Sequence, residues 1–271
     1  MTGSRGVADV LLAARAEGRS ALVAYLPVGF PDVATSVAAA RALVEGGADV
    51  VEVGVPYSDP LMDGPVIQHA VEAALRAGAR PRDAFRAVAA VAQAGARAVV
   101  MTYWNPVDRY GVERFAADLA EAGGSGLITP DLIPDEADEW LAAADKHDLD
   151  RIFLVAPSST PERLAATARA CRGFVYAAST MGVTGVRSSV ADAAQVLVAR
   201  TRAVTDLPVC VGLGVSSRAQ AAQVAGFADG VIVGSAFVKV LAAAATPDAG
   251  VEAVRALAVD LAAGVREGRS A

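Results

Sequence analysis

Short apolar runs rich in β-branched residues alternate along the chain with longer, Ala-rich stretches of helical periodicity. Runs of the first kind are typical of buried parallel strands, and stretches of the second kind are typical of amphipathic helices. Helices are predicted at 33–45 and 111–122, because each stretch ends at a Gly-Gly pair. Strands are predicted at residues 21–27, 49–54, 97–103, 125–130, 151–156, 173–178, 208–212 and 229–233.

The repeated strand–helix alternation predicts an α/β fold with a parallel sheet, and eight units close it into a single (β/α)8 TIM barrel. The alternative is an open doubly wound sheet, but Gly212-Leu213-Gly214 is only a fragment of the nucleotide fingerprint that such a sheet usually carries. An extra N-terminal helix at 7–17 is expected to cover the barrel bottom. Residues 1–271 are therefore expected to form one domain, with a frayed tail over about 266–271.

Composition narrows the class of protein. A formal charge of −6 and the lack of a Lys/Arg run argue against nucleic-acid binding. No uncharged run is long enough to span a membrane, and the first ten residues lack the apolar core of a signal peptide. Cys171 and Cys210 lie in separate segments and are expected to be reduced core residues. We therefore expect a cytoplasmic protein that binds neither nucleic acid nor membrane.

An acidic residue interrupts the second predicted strand. Alternation places Glu52 on the same face as Val50, and therefore inside the barrel mouth, where active sites of TIM barrels form. A buried salt bridge is the alternative, but the chain has only two lysines, and neither lies in a strand. Asp63 follows in the next loop, although Asp-Gly is also an ordinary turn pair. We interpret Asp59 as a turn or surface residue.

The loops after the last two strands predict a phosphate site. Glycines let backbone N–H groups approach an anion, and the following helix N-terminus adds a favourable dipole. The relevant loops are Gly212–Ser217 and Gly234-Ser235, at the usual location in this fold. Tyr25, Tyr103 and Tyr176 end other strands and are expected to line the same mouth.

The residue types missing from the strand ends narrow the chemistry. His69 and His147 fall in or near helices, so a His-based metal site or catalytic base is not expected. No lysine stands at a strand end to form a Schiff base with a carbonyl substrate. The reaction type that remains is acid–base chemistry, carried out by carboxylates on a small phosphorylated molecule.

The segment Glu52-Val-Gly-Val-Pro-Tyr-Ser-Asp-Pro-Leu-Met-Asp-Gly-Pro65 resembles the signature of tryptophan synthase α subunits around their catalytic Glu and Asp. Further matches are Gly182-Val-Thr-Gly185, Gly212–Ser217 and Gly234-Ser235, and their order and spacing agree over essentially the whole chain. The resemblance implies a lyase of tryptophan biosynthesis, which cleaves indole-3-glycerol phosphate to indole and glyceraldehyde 3-phosphate by a retro-aldol reaction. That reaction needs no metal or other cofactor on this chain.

The resemblance also implies roles for individual residues. Glu52 would be the general acid–base, and Asp63 would bind the indole N–H while remaining ionised. Substrate-positioning roles fall to Tyr176, Tyr25, Tyr103 and Thr184, and the phosphate-binding residues would be Gly185, Leu213, Gly214, Gly234 and Ser235. The Asp63 and Gly182–Gly185 loops would close over the substrate.

The implied partner is a tryptophan synthase β subunit, which carries pyridoxal phosphate, in an α2β2 heterotetramer. Pro56, Asp59 and Pro60, expected to be exposed, would meet that subunit. Three alternatives stay open at this stage: a lyase that works without a partner, a non-catalytic binding barrel, and another phosphosugar enzyme such as an isomerase or epimerase. Retention of Glu52 and Asp63 within a continuous signature argues against the last two.

Overall fold

All strand pairs among the described residues are parallel, and they form one closed sheet. The computed structural model describes residues 6–178 and 187–268. Its strands are β1 (Ala21–Pro27), β2 (Val50–Gly54), β3 (Arg97–Met101), β4 (Gly126–Ile128), β5 (Asp150–Ile152), β6 (Leu154–Val155), β7 (Val175–Ala178), β8 (Val209–Gly212) and β9 (Gly230–Val233). They pair in the order β5-β4-β3-β2-β1-β9-β8-β7-β6.

The two ends of this order belong to one stretch of chain, because only Phe153 separates β5 from β6. The first piece pairs with β4 and the second with β7. The closed sheet therefore has eight strand positions, and the predicted TIM barrel is confirmed. Strands in a barrel are staggered, so this strand pairs with its two neighbours over different residues.

Helices follow the strands and surround the barrel. They are α1 (Val7–Ala16), α2 (Val33–Glu45), α3 (Pro65–Arg76), α4 (Asp83–Gln93), α5 (Trp104–Tyr110), α6 (Val112–Glu121), α7 (Asp138–Lys146), α8 (Pro161–Ala170), α9 (Arg187–Arg202), α10 (Arg218–Ala225), α11 (Ser235–Ala243) and α12 (Pro247–Glu267), with a 3-10 turn at Pro134–Glu136. Within the described ranges, no helix is long and apolar enough to cross a membrane.

Local chemistry explains several helix starts. Asp32 caps α2 by accepting a hydrogen bond from the Thr35 N–H at 2.8 Å. Pro161 occupies the first turn of α8, behind a Thr160 cap, as its fixed φ favours. The predicted helix at 33–45 is confirmed, whereas the predicted strand at 97–103 ends at Met101 because Tyr103 is already the N-cap of α5.

Alternation along the strands separates two cores. Val51 and Val53 face outward into the layer between sheet and helices. The barrel interior is filled by Val23, Val50, Val99, Ile128, Ile152, Phe174, Cys210 and Ile232. Both cysteines are free and buried, as the sequence predicts.

Helix α1 closes the amino-terminal end of the barrel. Its Val7, Leu11 and Ala14 pack into the same interior cluster and are fully buried. The carboxylate of Asp150, at the start of β5, accepts a hydrogen bond from the Val7 N–H at 2.7 Å. This confirms the predicted N-terminal helix and leaves the carboxyl ends of the strands as the open mouth of the barrel.

Candidate active site

Glu52 lies in the middle of β2 and is only 1% exposed. It shares a strand face with Val50, which packs in the barrel interior. Neither of its carboxyl oxygens has a hydrogen-bond partner among the described residues. Among the residues that the structure describes, no cation pairs with Glu52, which argues against a buried salt bridge. Burial without a partner disfavours the charged form and raises the pKa of Glu52 to about 8.

Asp63 lies in the loop between β2 and α3 and is partly buried. Burial raises the pKa of its carboxyl group to about 6, so the prediction of an ionised Asp63 holds above that pH. Burial also raises the pKa of Tyr25 and Tyr176, and the charges of Asp63 and Glu52 add to this effect. The two carboxyl groups therefore lie close enough to the two phenols to affect their ionisation.

Tyr25 needs a neighbour without a side chain. It pairs in register with Glu52, and the phenol lies across Gly54 at the end of β2. A Cβ at Gly54 would lie 2.4 Å from the Tyr25 hydroxyl, a distance that no residue other than glycine permits. The glycine that ends β2 thus leaves the space that the Tyr25 phenol occupies, a contact that the sequence did not predict.

Tyr103 contacts the loop that carries Asp63. Its hydroxyl oxygen accepts a hydrogen bond from the Met62 N–H at 2.8 Å, and its ring lies 5.3 Å from the ring of Tyr57. On the other side of the loop, the Gln68 amide of α3 donates to the Asp63 carbonyl at 2.8 Å. No pattern in the sequence predicts these contacts, because they join residues on different elements.

The predicted phosphate residues lie at the same mouth, after β8 and β9. Leu213 and the half-buried Gly234 and Ser235 follow the strands directly, and Ser235 begins α11. The Gly234 cap makes no side-chain hydrogen bond to the first turn of this helix. Gly214 is exposed and has a φ of 67°, a left-handed conformation that favours glycine. Thr184, Gly185 and the rest of the Gly182–Gly185 loop lie outside the described residues.

Of the three predicted partner residues, Pro56 alone lines a groove beside the mouth of the barrel. Asp59 is exposed and Pro60 is half-buried, but Pro56 is buried, so the expectation that Pro56 is exposed is wrong. The chain stays against β3 beyond the end of β2, since the Val55 N–H donates to the Met101 carbonyl at 3.0 Å. The groove has a volume of about 310 Å³, and its lining includes Pro56, Tyr57, Ser58, Asn105, Pro106 and Arg109. The last three lie on the short helix α5, and Pro106 and Arg109 could not be singled out from the sequence.

Comparison with known proteins assigns the family. The tryptophan synthase alpha chain family model matches residues 11–266. The tryptophan synthase alpha chain of Mycobacterium tuberculosis strain H37Rv is 68% identical over 257 residues, which cover 95% of this chain and 93% of the relative. The Mycobacterium avium chain of the same name is 66% identical over 255 residues, covering 94% and 92%.

Solved structures give the same result. A ligand-free tryptophan synthase of M. tuberculosis has a TM-score of 0.88 at 63% identity, covering 96% of this chain and 98% of the other. The tryptophan synthase subunit alpha of Legionella pneumophila has a TM-score of 0.85 at 32% identity, with 98% of each chain covered. These findings confirm the predicted family and the α-chain function that goes with it. The chain belongs to the tryptophan synthase alpha chain family.

Proposed function

We propose that Glu52 and Asp63 are the acid–base pair with which this chain cleaves indole-3-glycerol phosphate to indole and glyceraldehyde 3-phosphate. The observation that carries the proposal is the carboxyl group of Glu52, buried at the barrel mouth without a hydrogen-bond partner among the described residues. Such a placement is unfavourable for stability and is typical of a group kept available for chemistry.

The two pKa values support different roles for the two carboxyl groups. With a pKa of about 8, Glu52 holds its proton at neutral pH and can donate it to C3 of the indole ring. With a pKa of about 6, Asp63 is ionised at the same pH and can accept the ring N–H, stabilising the positive charge that develops there.

Cleavage then needs one proton to leave. The Glu52 carboxylate takes the proton of the hydroxyl on the carbon attached to C3, and that oxygen forms the aldehyde carbonyl. The electrons of the carbon–carbon bond return to the ring and neutralise its charge, which releases indole. Glu52 is protonated again and can begin the next cycle.

The phosphate group is proposed to bind at Leu213, Gly214, Gly234 and Ser235, together with Gly185. The start of α11 supports this, because no side chain caps it and a helix N-terminus attracts anions. Binding energy from the phosphate would hold the reacting bond next to Glu52. Tyr25 and Tyr176 would contact the indole and glycerol portions.

A tryptophan synthase β subunit is proposed as the partner, in an α2β2 heterotetramer. The M. tuberculosis structures similar to this chain are tryptophan synthases, one in an aminoacrylate-bound form. The groove bordered by Pro56 and Asn105 offers a partly apolar surface beside the Asp63 loop. Pyridoxal phosphate would be carried by the β subunit alone.

We further propose that residues 1–271 form a single cytoplasmic domain. Helices from both ends of the chain, α1 and α12, pack against the central strand β1, which supports one folding unit. Two buried, unpaired cysteines are in keeping with a reducing compartment.

Indole release from indole-3-glycerol phosphate, measured with and without a β subunit, tests the proposal. We expect slow release from this chain alone and a large increase with β. Fast release without β would favour an autonomous lyase, and no release in either condition from folded protein would refute the proposal.

A further inference from the structure

Tyr103 is placed differently from the other tyrosines of the site. It caps the amino end of α5, and its side chain, only 5% exposed, reaches back to the Asp63 loop. The hydroxyl oxygen accepts the Met62 N–H at 2.8 Å, and the N–H of Asp63 also stabilises that oxygen. Burial raises the pKa of Tyr103 to about 12, so the group remains a neutral phenol throughout the working pH range.

The loop itself is weakly anchored. Met62 is 51% exposed and Leu61 is 86% exposed, so the side chains next to Asp63 bury little surface. On the α3 side, the Gln68 amide donates to the carbonyl groups of Asp63 at 2.8 Å and Pro60 at 3.5 Å, and both hydrogen bonds are exposed to solvent. Tyr103 is buried whereas Gln68 is exposed, so the hydrogen bond to Tyr103 is the one held by a buried side chain.

The ring of Tyr103 has a second neighbour. It packs against Tyr57 at 5.3 Å with the ring planes inclined by 32°, and Tyr57 lines the groove between the Asp63 loop and α5. One side chain therefore touches the groove wall and the backbone next to Asp63.

We propose that Tyr103 is a positioning residue that fixes Asp63 through the Met62 N–H and ties it to the groove wall, and that it does not act on the substrate directly. This inference rests on the proposed role of Asp63. It changes the role implied by the family resemblance, in which Tyr103 positions the substrate.

Tyr103→Phe tests the inference, because it keeps the ring against Tyr57 and removes the oxygen that accepts the Met62 N–H. We expect kcat for indole release to fall about fivefold, since one hydrogen bond is worth about 1 kcal/mol, while KM stays within twofold. Thermal stability is expected to change little, because water can reach the half-exposed Met62 N–H.

A double-mutant cycle with Asp63→Asn separates the two mechanisms, measured in single-turnover reactions with enzyme in excess. If Tyr103 acts through Asp63, adding Tyr103→Phe to Asp63→Asn causes no further loss of rate. The inference would be overturned if Tyr103→Phe lowered the single-turnover rate by the same factor in wild type and in Asp63→Asn. It would also be overturned if Tyr103→Phe left kcat unchanged or raised only KM. Wild-type turnover in Asp63→Asn would instead refute the role of Asp63, and this inference with it.

Discussion

Glu52 occupies a position where a carboxyl group destabilises the fold. Surrounded by the barrel interior, it has a pKa of about 8 in the folded protein, against about 4.5 for an exposed glutamate. The folded state therefore binds more protons than the unfolded state between these two values. A protein without a use for this group would gain stability by replacing it, and this is the physical argument for a catalytic role.

Replacing Glu52 by Gln keeps the shape and removes the acid. We expect kcat for indole release to fall by roughly 10²–10⁴-fold, the usual contribution of a general acid–base, while KM changes little. Steady-state kinetics at pH 7.5 measures both constants. Turnover close to wild type would show that another group moves the proton.

Asp63→Asn tests the second carboxyl group at constant size. An amide cannot balance the positive charge on the ring, so we expect kcat to fall at least a hundredfold with substrate affinity largely retained. Binding of a non-cleavable substrate analogue, measured by calorimetry, checks the affinity. A large loss of affinity at unchanged kcat would assign Asp63 to binding alone.

The pH dependence of stability gives a test that is independent of activity. Because the folded pKa of Glu52 is raised, wild type loses stability as pH increases from about 4.5 to about 8, and Glu52→Gln lacks this loss. Relative to wild type, the free energy of unfolding of the variant is therefore expected to increase over that pH range, by a few kcal/mol at pH 8. Urea unfolding at pH 5 and pH 8 measures this difference, and a constant difference would contradict the raised pKa.

At the scale of elements, helix α11 is proposed to bind the phosphate through its amino end. Ser235→Ala removes a hydroxyl there, and a lost hydrogen bond to a charged group predicts a rise in KM of roughly tenfold or more at nearly constant kcat. Thr246→Ala is the matched control, because it removes the hydroxyl that caps α12 by accepting the Ala249 N–H. The control is expected to lose about 1 kcal/mol of stability and to keep its KM. Equal KM values in the two variants would exclude Ser235 from the phosphate site.

Elements with a strong periodic signal could be predicted from the sequence, and contacts between them could not. Alternation alone placed Glu52 inside the barrel, and Gly-Gly pairs correctly ended α2 and α6. The division of one predicted strand into β5 and β6 at Phe153 could not be predicted. Ile152 and Leu154 continue the alternation of the strand, while its pairing partner changes from β4 to β7. The hydrogen bond from Met62 to Tyr103 joins residues 41 positions apart and depends on how a loop folds back.

At the scale of the whole molecule, the barrel separates stability from function. Helix α1 seals the amino-terminal end, while the carboxyl groups and glycine loops lie at the opposite end. A substitution that weakens the packing of α1 is therefore expected to lower the stability of the fold without disturbing the acid–base pair.

Leu11→Ala tests this separation, since Leu11 is fully buried in the barrel interior. Removing a buried leucine side chain costs about 2–5 kcal/mol, which we expect as a lower free energy of unfolding in urea. Leu12, the next residue on α1, is 43% exposed, so Leu12→Ala is a matched control with an expected change within about 0.5 kcal/mol. Under conditions where both variants are folded, kcat and KM for indole release are expected to equal those of wild type. If fully folded Leu11→Ala had a lower kcat, a packing change at the amino-terminal end would have to affect Glu52 through the barrel interior. The two ends of the barrel would then not be independent.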